Sequence, residues 1–372
     1  MVFGKFERLS SSVPPVRLAG LPEVQPQSHH QVGIPKIENF KMRAIESACL
    51  KCRDMNANPP HPPQPPSTPI AAPPDEELCL MGVNGLAEFM DFVRTRAVDG
   101  AKFDRGDLAE MWRAAAEVFA ELQTSEAGAA DHPKVLPLSA SAQAHVKLLA
   151  DLPYFQQTFS AVPVAFGMVE LDTLVVSQQH ITRSSVERMH ATLRQPLPDK
   201  DLTALCLPLA ADTAGFRLAH QSESRFTFVS DTHDARFLGA QLLDPAALAS
   251  AAVSGYPLAA IGLAVGFTTN VLNVVRYGNR LVLNNGYHRA HALRERGITH
   301  APCLIQVCSH WEDVGLAGSG EIFNNGPVYF SSARPPLLRD FANPSLTRTF
   351  ATRPVRKEIR ISFEVETTQL AI

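Results

Sequence analysis

The spacing of hydrophobic and polar residues changes near residue 161, and the change separates two textures of sequence. Before it, apolar residues recur every three or four positions, which is typical of helices that bury one face. After it, short runs rich in β-branched residues alternate with helical segments, which indicates an α/β domain. We predict a disordered proline-rich leader at 1–75, a helical region at 76–160, an α/β domain at 161–310 and an arginine-rich covering segment at 311–372.

Within these regions the two periodicities predict individual elements. The helical spacing predicts helices at Glu76–Arg96, Asp107–Leu122 (capped by Asp107), Ala140–Leu149, Thr182–Leu193, Asp244–Ala252 and Tyr287–Arg296. The β-branched runs predict strands at Val164–Met168, Val169–Val176, Arg225–Val229, Asn270–Arg276, Arg280–Leu283, Ala301–Val307 and, in the tail, Glu358–Val365.

Composition limits the classes of protein that fit. The net charge is −3 over 372 residues, so no general affinity for nucleic acid or for a membrane surface is expected. The six cysteines are scattered, as in reduced cytoplasmic proteins, and the lone pair Cys49 and Cys52 lacks the second pair of a zinc site. The stretch Ala249–Val275 is uncharged, but its Gly, Pro and Asn residues favour a buried strand over a membrane span. No membrane partner is expected.

The most informative stretch is a strand, a glycine and a helix at Asn284–Arg289. Gly286 lets the backbone approach a ligand closely, and the helix that follows offers amide groups and the positive end of its dipole. Those groups suit a phosphate. Arg289 can add a charge-assisted contact, and His288 can hydrogen-bond a phosphate or carry a proton. We therefore predict that a phosphate-bearing ligand binds at Asn285, Gly286, Tyr287, His288 and Arg289.

This stretch resembles the motif (D/N)G-x-(H/R)-R-x-x-A of the ParB/sulfiredoxin superfamily, which Asn285–Ala292 matches and Arg296–Pro302 continues. Val169–Val176 and the helix that follows resemble the opening element of the same family. The resemblance implies an α/β domain with a large insertion at about 195–266. It also implies binding of a nucleoside triphosphate or diphosphate, ATP or CTP, often with a divalent ion such as Mg²⁺. Members reduce sulfinic acids, phosphorylate small molecules, clamp DNA under CTP control or cleave nucleic acid.

Two departures from the family pattern narrow these options. Sulfiredoxins have their reactive cysteine directly after the turn glycine, where this chain has Tyr287. A phenol cannot replace a thiolate in that chemistry, so sulfiredoxin activity is excluded. Many family enzymes have an acidic residue where this chain has Asn285, which weakens the case for metal-assisted catalysis.

Two functions stay open at this point. In the first, the chain is an enzyme of phosphotransfer or nucleotide hydrolysis, with His288 as a proton carrier and Asp231 or Glu170 as the base. A polar turn explains Asp231 equally well. In the second, the chain is a non-catalytic module that binds nucleotide and contacts DNA or a protein. The sequence leaves the oligomeric state open.

The tail and the histidines raise two further alternatives. The tail arginines can bind DNA or belong to a segment that covers the sheet, and the interleaved apolar residues Leu337, Leu338, Phe341 and Phe350 favour the cover. A zinc site is not expected, because no standard ligand spacing fits the histidines and cysteines near the turn. Those residues are His288, His291, His300, Cys303, Cys308 and His310.

Overall fold

The computed structural model describes residues 73–83, 85–194, 196–210, 215–222, 224–231, 235–244, 258–267 and 270–370. Nearly all of the predicted leader, including Cys49 and Cys52, lies outside these residues. So does the predicted helix Asp244–Ala252 beyond its first residue. The described residues belong to one unit, Met42–Ile372, and combine helices with several sheets, which confirms the α/β class.

The strands of the described residues form four sheets. In chain order they are β1 (Asp75–Leu80), β2 (Val135–Leu136), β3 (Val164–Glu170), β4 (Val175–Val176), β5 (His180–Thr182), β6 (Arg217–Gln221), β7 (Arg225–Ser230), β8 (Ala235–Leu243), β9 (Ala260–Phe267), β10 (Asn273–Tyr277), β11 (Arg280–Asn285), β12 (His300–Cys308), β13 (Thr347–Thr352) and β14 (Lys357–Ser362).

In the described part of the chain, the α-helices pack chiefly on the sheets that contain β1 and β12. They are α1 (Leu86–Arg96), α2 (Arg105–Ser125), α3 (Ala140–Ala150), α4 (Pro153–Thr158), α5 (Arg183–Thr192), α6 (Asp199–Cys206), α7 (Tyr287–Glu295), α8 (Trp311–Ala317) and α9 (Gly320–Asn324).

The largest sheet has six strands in the order β2-β3-β12-β10-β11-β4. β10 runs parallel to β12, and β11 runs parallel to β4, whereas the other neighbours are antiparallel. β10, β11 and β12 are buried over most of their length, since side chains cover both of their faces. Their apolar residues give the main core of the molecule, together with Leu272 and Leu293.

A second sheet, β13-β1-β5, places the strand β1 in the region 76–160, which was predicted as helical. The first part of the predicted helix Glu76–Arg96 is the strand β1, and the helix α1 begins only at Leu86. A short apolar run cannot be assigned to a strand or a helix by periodicity alone. Here β1 pairs with β13, more than 260 residues along the chain (Asp75 with Thr352), and this distant partner determines its structure.

Two element boundaries also differ from the predictions. The cap of α2 is Asp104, whose side chain accepts hydrogen bonds from the amides of Gly106 (2.7 Å) and Asp107 (3.1 Å), so Asp107 is not the cap. The predicted strand Val169–Val176 is interrupted by a 3₁₀ turn at Leu171–Thr173, which separates β3 from β4. The helices α3, α5 and α7 lie within one or two residues of their predicted positions.

The C-terminal segment packs on the rest of the chain as the covering alternative predicts. Leu337, Leu338, Phe341 and Phe350 are all buried. Its last strand, β14, pairs with β7 from the predicted insertion. Across the described ranges, no helix is both long and apolar enough to span a membrane.

Candidate functional site

The predicted turn is present as a strand, a glycine and a helix. β11 ends at Asn285, Gly286 has the left-handed φ of +94°, and α7 begins at Tyr287. A Cβ at position 286 would lie 2.8 Å from the Cδ1 atom of Leu272. The positive φ therefore favours glycine, and a Cβ there would also crowd the side chain of Leu272.

Two asparagines hold the turn and the loop beside it. The Asn285 Oδ1 atom accepts a hydrogen bond from its neighbouring Gly286 amide at 2.8 Å, so that amide is engaged within the turn. The Asn284 side chain donates to the carbonyl of Ala317 and accepts from the amide of Ser319, both at 3.0 Å. Asn284 thereby ties the loop between α8 and α9 to the end of β11.

Tyr287 is an internal structural residue of this site. Its hydroxyl donates to the Leu283 carbonyl and lies 2.8 Å from the Ser177 Oγ atom. Burial raises the pKa of the Tyr287 phenol, although the hydrogen bonds with Ser177 oppose the shift. The phenol stays protonated near neutral pH and cannot act as a nucleophile. Its function here is to join the residues after β4 to α7.

Arg289 differs from the expectation that its guanidinium projects toward a phosphate. The residue is 5% exposed, its Nη1 atom donates to the Cys206 carbonyl at 3.4 Å, and its Nη2 atom donates to Asn270 Oδ1 at 3.1 Å. The guanidinium thus joins α7 to the end of α6 and to the segment before β10. A direct contact between Arg289 and phosphate stays a prediction. His288 lies beside it in the first turn of α7 and is half-buried.

A groove of about 230 Å³ lies beside the turn. β4 and β11 are parallel neighbours, so their carboxyl ends and the polar loops that follow meet at the same edge of the sheet. Residues at the start of α9 form the remaining wall of the groove. Its lining residues are Ser177, Gln178, Asn284, Tyr287, Ser319 and Glu321.

Glu321 is the acidic residue of this groove, and the sequence reading missed it. Its Oε1 atom accepts hydrogen bonds from Asn325 Nδ2 and from the Tyr329 hydroxyl, both at 2.8 Å. No motif surrounds Glu321, and its position depends on the bonds that Asn284 makes 33 and 35 residues away. Ser177 and Gln178 follow a predicted strand, so they could have been found if the parallel pairing of that strand with β11 had been recognised.

The two carboxylates predicted as bases lie elsewhere. Glu170 ends β3, which is three strand positions from β11, and this places it about 14 Å or more from the turn. Asp231 follows β7, is exposed, and forms an ion pair with Arg356 of the tail, with Oδ1 and Nε 2.8 Å apart. Of the three predicted catalytic residues, only His288 belongs to the turn.

Other reactive side chains in the described ranges are not poised for chemistry. His180 Nδ1 lies 3.2 Å from Cys79 Sγ, but burial lowers the pKa of His180 to about 4 and raises the pKa of the Cys79 thiol. The pair is therefore neutral rather than a thiolate and an imidazolium. Burial likewise raises the pKa of Cys206 to about 12. No group of three or more His, Cys, Asp or Glu residues in the described part of the chain is placed to hold a metal ion.

Four of the six arginines of the tail form ion pairs with carboxylates in the described part of the chain. Arg334 pairs with Asp340 and Glu126, Arg339 pairs with Glu126, and Arg360 pairs with Glu358. These pairs, with the one between Arg356 and Asp231, reduce the positive charge that DNA phosphates would meet. Binding of DNA by this segment stays a prediction.

No family model, no characterised protein and no solved structure matches the chain. The resemblance to the ParB/sulfiredoxin superfamily therefore rests on the turn motif and its opening element, and it continues below as a proposal.

Proposed function

We propose that this chain is a nucleotide-binding protein of the ParB/sulfiredoxin-like type, with the phosphates of the nucleotide bound at the start of α7. The observation that carries the proposal is the parallel pairing of β4 with β11. Because of it, the polar residues after β4 and the glycine turn after β11 border one groove. In α/β sheets, ligands bind outside the carboxyl ends of such strands.

Electrostatics at the helix start favour an anion. Gly286 and Tyr287 begin a nine-residue helix, whose dipole places partial positive charge at this end. Asn285 beside the glycine is neutral, so no carboxylate of the motif opposes a phosphate there. Arg289, in the first turn of the same helix, adds a buried positive charge that contacts the Cys206 carbonyl and Asn270.

The positions of the predicted catalytic residues favour binding over phosphotransfer. Glu170 is three strands away, and Asp231 is paired with Arg356. The non-catalytic alternative, a nucleotide-gated module that contacts DNA or a protein, therefore has support of its own. An enzyme of this site would need a base other than these two carboxylates.

Nucleotide binding is tested by thermal stability and direct titration with ATP, CTP and GTP, each with and without Mg²⁺. Asn285→Asp is the informative variant, because an aspartate oxygen can keep the hydrogen bond to the Gly286 amide while adding a negative charge beside the phosphates. We expect metal-free binding to weaken about tenfold or more. Asn279→Asp is the matched control, since it makes the same change in the turn that precedes β11.

Two results would overturn the proposal: no stabilisation by any of the three nucleotides, or equal loss of affinity in both aspartate variants. Phosphate release measured in the same samples separates the two functions. Turnover that His288→Asn abolishes and Asp231→Asn leaves unchanged supports an enzyme at this site. Binding without turnover, together with salt-sensitive retention of DNA, supports the module.

A further inference from the structure

The direction of each hydrogen bond around Tyr287 can be assigned. The Leu283 carbonyl can only accept, so the single proton of the Tyr287 hydroxyl is directed at it. The Tyr287 oxygen must then accept from the Ser177 hydroxyl at 2.8 Å, and it also accepts from the Ser177 amide at 3.4 Å. The Ser177 proton is therefore used, and its oxygen has only lone pairs left for a ligand in the groove.

Two more side chains in the groove present acceptors. The Glu321 Oε1 atom already accepts two hydrogen bonds, and its Oε2 atom makes no hydrogen bond or ion pair within the described ranges. The Gln178 Nε2 atom donates to the His180 carbonyl at 2.6 Å. The Oε1 atom of the same side chain accepts no hydrogen bond from the described residues. Both side chains line the groove.

The groove is therefore better suited to a group that carries hydrogen-bond donors than to a phosphate. The Ser319 hydroxyl, which accepts from the Ile322 amide, still has its proton to donate and can serve a hydroxyl oxygen of the same group. A carboxylate and two neutral acceptors would repel phosphate oxygens. The volume of about 230 Å³ is also smaller than the usual pocket for a whole ligand, so it fits one part of a ligand. Asn284 and Tyr287 line the groove and lie within two residues of Gly286. The part of the ligand in the groove would therefore lie next to its phosphates.

We infer that this groove binds the sugar of the nucleotide and that Glu321 accepts a hydrogen bond from a ribose hydroxyl. The inference rests on the proposed nucleotide binding and adds the recognition of ribonucleotides over deoxynucleotides. Tyr329 and Asn325 hold the carboxylate in place through Oε1, and Oε2 meets the hydroxyl. Ser177 and Gln178 supply further acceptors from the loop after β4.

The experiment compares the affinities of a ribonucleoside triphosphate and its 2′-deoxy, 3′-deoxy and 2′,3′-dideoxy forms. We expect the wild-type protein to bind the ribonucleotide about tenfold or more tightly than the form that lacks the contacted hydroxyl, because a hydrogen bond to a charged acceptor is lost. Glu321→Gln should reduce this preference to near unity. Glu312→Gln makes the same change on the exposed face of α8 and should keep the preference.

Ser177→Ala gives a second readout that leaves the carboxylate in place. It removes one acceptor but leaves the bond between Tyr287 and the Leu283 carbonyl, so the protein should fold and the preference should fall only in part. The unfolding midpoint of every variant is measured alongside the affinities.

Three outcomes would contradict the inference. If the wild-type protein binds ribo and deoxy forms equally, the sugar does not occupy the groove, while nucleotide binding itself stands. If no nucleotide binds, both the inference and the proposed function fail. If Glu321→Gln abolishes the effect of Mg²⁺ but keeps the hydroxyl preference, the carboxylate holds a metal ion instead.

Discussion

At the scale of single residues, Arg334 stands out because its charged guanidinium is buried. Arg334 is 1% exposed and lies against the carboxylate of Asp340, which is also buried. A second carboxylate, Glu126, lies 2.9 Å from its Nη2 atom, and the ring of Phe119 lies 5.6 Å from the guanidinium carbon. Buried charges of this kind are tolerated only when they are paired, because their removal from water is costly.

We expect Asp340→Asn to lower the free energy of unfolding by about 3 kcal/mol, because it leaves the Arg334 charge only partly compensated. The double variant Arg334→Met with Asp340→Asn should lose less than the sum of the two single changes, since both buried charges disappear together. Urea unfolding measures all three. Arg94→Met breaks an exposed pair with Asp91 and should change stability by less than about 1 kcal/mol. Additive losses would contradict the buried-pair account.

The same scale shows how far sequence reasoning about the candidate site could go. The types and order of Asn285, Gly286 and Tyr287 predict a glycine turn before a helix, and the turn is there. The partners of the side chains were not predictable. Arg289 bonds to Cys206, 83 residues away, and Tyr287 bonds to Ser177, 110 residues away. Local patterns contain no information on such distant contacts. For this reason the sequence predicted Arg289 as a ligand residue, whereas the structure has it buried and bonded to another part of the chain.

At the scale of elements, the start of α2 depends on a single side chain. Asp104 accepts from two amides of the first turn, which have no carbonyl partner inside the helix. Asp104→Ala should therefore lower the free energy of unfolding by about 1 kcal/mol. Asp107→Ala, three positions further along the chain, removes only a favourable charge near the positive end of the helix dipole. It should lower the free energy of unfolding by only about 0.3 kcal/mol. Chemical denaturation ranks the two, and equal losses would contradict the cap assignment.

The elements also differ in how well their sequences determine them. α2 carries its own periodicity and α7 its own glycine turn, so both helices were predictable from local sequence, although the cap of α2 is Asp104 and not the predicted Asp107. β1 was not predictable in this way, because Glu76–Leu80 is too short to distinguish a strand from the start of a helix. Its structure follows from hydrogen bonds to β13 on one side and β5 on the other. Elements that depend on partners at the far end of the chain escape a local reading.

At the scale of the whole molecule, the sheet β13-β1-β5 joins three distant parts of the chain. β1 comes from the first described residues, β5 from the middle and β13 from the tail. Cys79 of β1 and His180 of β5 are in contact inside this sheet. The His180 ring also stacks on the ring of Phe92 of α1, with 4.0 Å between the ring centroids. Glu77 and Arg96 form an ion pair next to it. Burial lowers the pKa of His180, so we expect this sheet to be most stable when His180 is uncharged.

Acid should weaken this sheet through His180. Burial, with help from the Arg96 charge, lowers its pKa to about 4 in the folded protein, whereas the ordinary value is 6.5. Between these values the unfolded chain binds a proton that the folded protein excludes, so the free energy of unfolding falls as the pH falls from about 6.5 to about 4. His180→Gln should make this fall shallower, because the titrating group is gone while the carboxylates remain. Urea midpoints at pH 7 and pH 4.5 measure the difference, and His220→Gln, at an exposed histidine of β6, should leave the wild-type slope unchanged. If His180→Gln and wild-type protein lose the same stability over this range, the loss belongs to other groups and the sheet is not the acid-sensitive element of the fold.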